Sequence, residues 1–241
     1  MEIFGYPEGL DLLTRWIHII AGITWIGLLY YFNFVQAPFF AETEAGVKSA
    51  ATRQLVPRAL AWFRYSALVT FLAGVILLLV RLDVFGAEQV FGSAYGFVVL
   101  TAGILGTIMF INVWAVIWPN QKIVIGSAQA VAGGGSADPR AEGATRRGML
   151  ASRTNVVLSI PMVFFMATSG HGGFLFREST SGERWAYWLI FAGLLALIEG
   201  NALIGLTGAL KKPLEKVGPV IASGFVLVVV LYVVLAVFAI L

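Results

Sequence analysis

The chain has 241 residues, of which 59% are hydrophobic and 12% charged, with 16 Lys and Arg against 13 Asp and Glu. Soluble domains carry about 25% charged residues, so this composition, with its mean hydropathy of +0.87, excludes an ordinary soluble globule and predicts an all-α, polytopic membrane bundle in a lipid bilayer. The net charge of +3 calls for no nucleic-acid partner, because basic residues gather in membrane-protein loops; the lack of cysteine excludes disulfides, thiolate metal sites and covalent haem attachment through C-x-x-C-H.

A helix needs about 20 mostly apolar residues to cross the hydrocarbon. Six stretches qualify, at residues 12–34, 59–80, 95–118, 150–169, 185–206 and 218–241. They form one transmembrane domain, 1–241, without an internal repeat. The N-terminal MEIFGYPEGLD has no Lys or Arg, unlike the basic start of a cleaved signal peptide, so the first span is expected to be retained.

The first span reads RWIHIIAGITWIGLLYYFN and holds His18, one of only two histidines. Ionisable residues within spans are costly and are functional candidates. Thr14, Gly22, Trp25 and Leu29 share the face of His18, and Gly22 is expected to leave a flat notch one turn from the imidazole. Two readings stand: a ligand to a planar cofactor, or a histidine hydrogen-bonded to a neighbouring helix.

Charge alternates along the loops. Lys48, Arg53, Arg58 and Arg64 follow the first span; Lys122, Arg140, Arg146, Arg147 and Arg153 follow the third; Lys211, Lys212 and Lys216 follow the fifth. Twelve of the 16 basic residues thus fall on one side, which predicts those loops cytoplasmic and both termini outside. The Gly-, Ser- and Pro-rich stretch 131–147 reads as a flexible cytoplasmic linker.

Trp118, Pro119, Asn120, Gln121 and Lys122 close the third span, with Trp at the interface and Pro as a helix stop. The fourth span opens with Ser152, Arg153, Thr154 and Asn155 and contains Pro161, which is expected to bend it. Arg153 is open to three roles: capping, binding an anion, or pairing with an acidic loop residue. Glu199 lies deep in the fifth span beside Gly200 and Asn201, and two readings stand: a proton relay, or a partner for Arg64, Arg153 or a helix dipole, the second being favoured. His171 stands in SGHGGF beyond the fourth span, on the same outer side as His18. His18 is six residues into the first span, about 9 Å deep. Two imidazoles from different helices suit a haem iron or another transition metal, the alternative being that His171 is a solvated loop residue; Thr14 is a candidate acceptor for the second ring nitrogen of His18.

The segments WIHIIAGITWIGLLYYFNFVQAPFF, NVWAVIWPNQK and ASRTNVVLSIPMVFFM, followed by His171, resemble the membrane (N-terminal) domain of the bacterial membrane-bound, cytochrome-c-linked urate hydroxylases, or urate oxidases, of purine catabolism. The His, Trp and Gly of the first span also resemble the membrane protein that oxidises protoporphyrinogen. The first resemblance implies oxidation of urate to 5-hydroxyisourate, with electrons leaving through cytochrome c. Its motif positions here are His18, Trp25, Asn112, Trp118, Pro119, Asn120, Gln121, Arg153, Asn155, Pro161 and His171. Asn112, Asn120, Gln121, Arg153 and Asn155 are the expected substrate contacts. His18, His171, Gly22 and Trp25 are the expected surroundings of a b-type haem, with His18 and His171 on the iron. Two departures matter: the family's C-terminal cytochrome domain is not expected in a sequence without cysteine, and IEGNALIGLTGALKKP differs from the family's pattern. The residues and the resemblance together leave two functions open. One is an oxidoreductase passing electrons to a separate c-type cytochrome; the other is a non-catalytic haem-binding or accessory subunit of a membrane electron-transfer complex.

Overall fold

The structure, a computed structural model, describes residues 5–171 and 180–240. In chain order the helices are α1 (Glu8–Tyr30), α2 (Ala37–Glu42), α3 (Ala45–Gln54), α4 (Val56–Phe85), α5 (Ala87–Gly92), α6 (Ala94–Ile111), α7 (Trp118–Ala132), α8 (Ala141–His171), α9 (Ser181–Leu203) and α10 (Val217–Leu235). Wider π turns occupy Tyr31–Gln36, Asn112–Ile117 and Ala236–Ile240, and a 3₁₀ helix Ala209–Glu215; among the described residues there is no strand. Six helices are long and apolar enough to cross a membrane, as the composition predicts.

The helices overrun the predicted spans because hydropathy marks only their hydrocarbon portion. The first runs Glu8–Glu42 and the third Tyr95–Ala132. Pro119 is therefore not a stop. A proline removes one backbone donor and its ring crowds the carbonyl four residues back. The π turn Asn112–Ile117 widens the helix just before it, so the chain continues into α7 with Pro119 in its first turn. The first span uses the same device, with Tyr31–Gln36 followed by Pro38 at the start of α2. In the fourth span α8 stays continuous through Pro161.

The non-helical part of 131–147 is also shorter than its composition suggests. Helices α7 and α8 close in from both sides and leave 133–140, which is tied down. The Asp138 amide donates to Ser127 Oγ at 3.0 Å, and Arg140 lies 2.8 Å from Asp138. Hydrogen bonds from the Arg140 side chain and amide hold the Asp138 carboxyl down to about 2.

Helix α8 is the centre, with 67% of its most apolar window buried. Helices α6, α7, α9 and α10 pack around it, while α1 pairs mainly with α4. Large apolar residues such as Trp62, Leu189, Leu197 and Phe225 point outward, as a lipid-facing surface requires. Gly224 lets α10 close on α8: a Cβ there would come within 2.4 Å of Ile160 Cδ1. At the turn before α6, Ser93 caps Gly96, whose Cβ would fall 1.7 Å from the Val90 carbonyl oxygen. Backbone cannot yield as a side chain does. Gly96→Ala should therefore cost about 3 kcal/mol and reduce the monodisperse fraction in detergent size-exclusion chromatography. Gly103→Ala, with open space at its Cβ, should behave as wild type.

Candidate functional site

Two polar centres lie inside the bundle. The first is His18, part-buried between α1 and α4. Its Nδ1 lies 2.8 Å from the Thr70 carbonyl oxygen. A carbonyl only accepts, so Nδ1 carries the hydrogen and Nε2 keeps its lone pair, the tautomer that suits a metal ligand. The acceptor is thus Thr70 of the second span and not Thr14, which is buried one turn away on α1 itself. Gly74, one turn after Thr70, lets the ring lie against α4: a Cβ there would stand 3.1 Å from His18 Cε1. Beside Gly22 stands the Thr70 methyl of α4, 3.8 Å from where a Cβ on Gly22 would be, an ordinary packing distance. Trp25 is 2% exposed and packs in the main core, with its indole N–H lacking a partner among the described residues.

Helix α1 begins at Glu8, ten residues before His18, which stands about 15 Å along the helix from its start. The His171 side chain lies outside the described residues, but its backbone closes α8. Tyr30 on α1 and Ser159 on α8 are hydrogen-bonded at 3.0 Å. His18 precedes Tyr30 by 12 residues, and His171 follows Ser159 by 12. Both steps are about 18 Å toward the same end. The backbones of the two histidines are therefore level to within about one helical turn.

The second centre lies in the other half of the bundle. Asn112 Nδ2 donates to Asn155 Oδ1 at 2.9 Å and to Glu199 Oε1 at 3.0 Å. Asn155 Nδ2 donates to the Met109 carbonyl at 2.9 Å. Three spans meet here, and both asparagines are buried. The partner of Glu199 is therefore an amide; Arg64 packs elsewhere, its guanidinium carbon 3.8 Å from the Trp118 ring centre.

The remaining predicted residues are spread out. Arg153 is buried and donates from Nη1 to the Leu214 carbonyl at 2.6 Å, clasping the 3₁₀ helix. It has no acidic partner among the described ion pairs. Asn120 donates to Val116 of its own helix at 2.8 Å, and Gln121 lies beside Gly148. Sequence reasoning missed Thr70 and Gly74. It also missed Asn33, whose Nδ2 donates to Leu29 O and to Ser152 Oγ at 2.8 Å. The signal that could have singled Asn33 out is a polar amide within the apolar first span.

Residues 79–236 match a family model described as urate oxidase N-terminal. The chain belongs to the urate oxidase N-terminal family. The match covers the amide centre, Arg153 and His171 but stops short of His18 and the first span. No curated protein and no solved structure matches the chain.

The amide centre yields a prediction within this family member. Asn155→Leu leaves Asn112 Nδ2 and the Met109 carbonyl short of partners and should cost about 1–3 kcal/mol. Glu199→Gln still offers Asn112 an acceptor. It should fold with a melting temperature close to wild type and keep most function. Melting curves of the purified variants, followed by tryptophan fluorescence, check both.

Proposed function

We propose that this chain is a membrane oxidoreductase acting on urate, oxidising it to 5-hydroxyisourate and passing electrons to a separate c-type cytochrome. Family membership supports the substrate. The observation that carries the redox reading is the His18–Thr70 hydrogen bond, which leaves the lone pair on Nε2 of a ring packed close to Gly74. These residues fit a b-type haem, with His18 as the ligand and His171, level with it at the end of α8, as the candidate second ligand. When bound, the haem would supply one-electron chemistry. Thr70 fixes the orientation of the imidazole and raises its basicity. Gly74 admits the ring, and the surrounding apolar spans exclude water.

The level of these residues matches the proposed electron exit. With the basic loops cytoplasmic, both termini and both histidines face the periplasmic half of the bacterial inner membrane. A reporter fused after Leu241 and active only in the cytoplasm should stay silent; a strong signal would reverse the topology.

One observation favours the second reading, a haem-binding subunit without its own substrate. The Asn112 and Asn155 amides are engaged with each other, with Glu199 and with Met109. The donors expected to contact substrate are thus bonded within the protein.

A spectrum and an assay separate the readings. Protein purified from haem-replete cells should show a Soret band and reduce added cytochrome c when given urate. A Soret band without urate-dependent reduction supports the subunit. Colourless wild-type protein rules out the haem. His18→Ala should abolish the band while the protein still inserts, and His171→Ala should shift or weaken it. Gly74→Leu, which drives a side chain into the imidazole, should lose haem as His18→Ala does.

A further inference from the structure

We propose that Arg64, Trp114, Trp118 and Lys122 form a binding site for the phosphate of an anionic phospholipid, where the second and third spans meet at the basic end of the bundle. Neither the family nor the redox chemistry assigns this cluster a role.

The geometry is a box of donors. The guanidinium carbon of Arg64 lies 3.8 Å from the Trp118 ring centre, 4.8 Å from that of Tyr65 and 5.9 Å from that of Trp114. Lys122 Nζ stands 5.6 Å from the same Trp118 ring. Tyr65 and Trp114 meet edge to face at 6.1 Å. Two cations thus lie within about 6 Å of the Trp118 ring centre.

The hydrogen bonds are unbalanced. Arg64 Nε and Trp114 Nε1 are buried donors without a partner among the described residues. The acceptor Arg64 does reach is the Tyr65 hydroxyl, 3.5 Å from Nη2. No carboxylate pairs with Arg64 or Lys122 among the described ion pairs. Buried donors without acceptors are costly and call for a missing partner. Two positive charges and an indole N–H specify that partner as an anion rich in acceptor oxygens.

The position specifies its source. The box adjoins lipid-facing residues, with Trp62 70%, Tyr65 51% and Ile111 52% exposed. An occupant with acyl chains would lay them along that apolar surface and raise its phosphate to Arg64 and Lys122. Indole rings and basic side chains at this level match the headgroup region of a bilayer. A small soluble anion would gain nothing from the apolar flank.

The test uses the full-length protein, delipidated and exchanged into phosphatidylcholine nanodiscs. Phosphatidylglycerol, phosphatidylcholine and inorganic phosphate are then titrated separately, with bound lipid read by native mass spectrometry and stability by thermal melting. Phosphatidylglycerol should bind and raise the melting temperature; phosphatidylcholine and inorganic phosphate should do neither. Arg64→Gln should weaken phosphatidylglycerol binding about fivefold, and Arg64→Gln with Lys122→Gln about thirtyfold, at the usual worth of one basic residue near an anionic surface. Lys122→Gln alone, an exposed position, keeps the test open if Arg64 variants misfold. Lys216→Gln, exposed at the same end of the bundle, should change nothing. Equal binding of the two lipids would overturn the proposal. So would phosphatidylglycerol binding unchanged in Lys122→Gln. Stabilisation by inorganic phosphate equal to that by phosphatidylglycerol would also overturn it, in favour of a free-anion site.

Discussion

Hydrocarbon offers no partner to a polar group, so a polar side chain within the bundle is drawn to a carbonyl of its own helix or to a neighbouring helix. Helix α8 concentrates that demand. Ser152 accepts from Asn33 beyond α1, Ser159 meets Tyr30 on α1, Asn155 joins Asn112 and the Met109 carbonyl, and Arg153 grips the Leu214 carbonyl. Each such bond contributes only about 0.6–2 kcal/mol in a membrane. Their value lies in direction. Leucines pack equally well at several rotations of a helix, whereas four polar residues with four separate partners fix both the rotation and the depth of α8. The most buried span is thus among the less hydrophobic ones, its window averaging 1.4 against 3.0 for the last.

The π turns of the first and third spans serve this arrangement. Asn33 and Asn112 both sit in such turns, and both turns lead into a helix with proline in its first turn. A π turn inserts extra backbone and so rotates the rest of the helix about its axis. In the first and third spans alike, the widened turn precedes a proline, and an asparagine within it reaches α8. Proline and asparagine therefore act as one device, used twice, that aims amides at the central helix.

The parts legible in the sequence are those set by a helix's own composition. The six spans, the alternation of charge and the resemblance through NVWAVIWPNQK and SRTN need no knowledge of which helix touches which. The pairings do need it. The acceptor of His18 is a backbone carbonyl, and every residue has one, so nothing in the sequence distinguishes Thr70. Thr14 shares a face with His18 on α1, but the ring turns to the neighbouring helix where Gly74 makes room. Glu199 invites an arginine partner on charge alone, yet the fold brings Asn112 to it and leaves Arg64 on Trp118. Pro119 reads as a stop because the π turn that carries the helix past it has no established sequence signature.

The vertical separation of the two polar centres constrains any mechanism. Asn155 lies four residues from Ser159 toward the basic end, and His18 lies 12 residues from Tyr30 toward the other. Counted from the Tyr30–Ser159 contact the two backbones stand about 24 Å apart along the bundle, and counted from the Asn33–Ser152 contact about 18 Å. A molecule held by Asn112 and Asn155 would not touch the His18 imidazole itself. If urate is oxidised in contact with a haem on His18, it must bind in the outer half, and the asparagines then act on it only through the position of α8. If urate instead reaches the amides from the basic end, its electrons must cross the intervening helices, where Phe71 of α4 and Phe110 of α6 stack at 4.4 Å. Phe71 directly follows Thr70, which holds His18, and Phe110 directly follows Met109, which holds Asn155. The backbones that orient the two centres thus meet through one pair of stacked rings, and a shift of α4 against α6 would be felt at both.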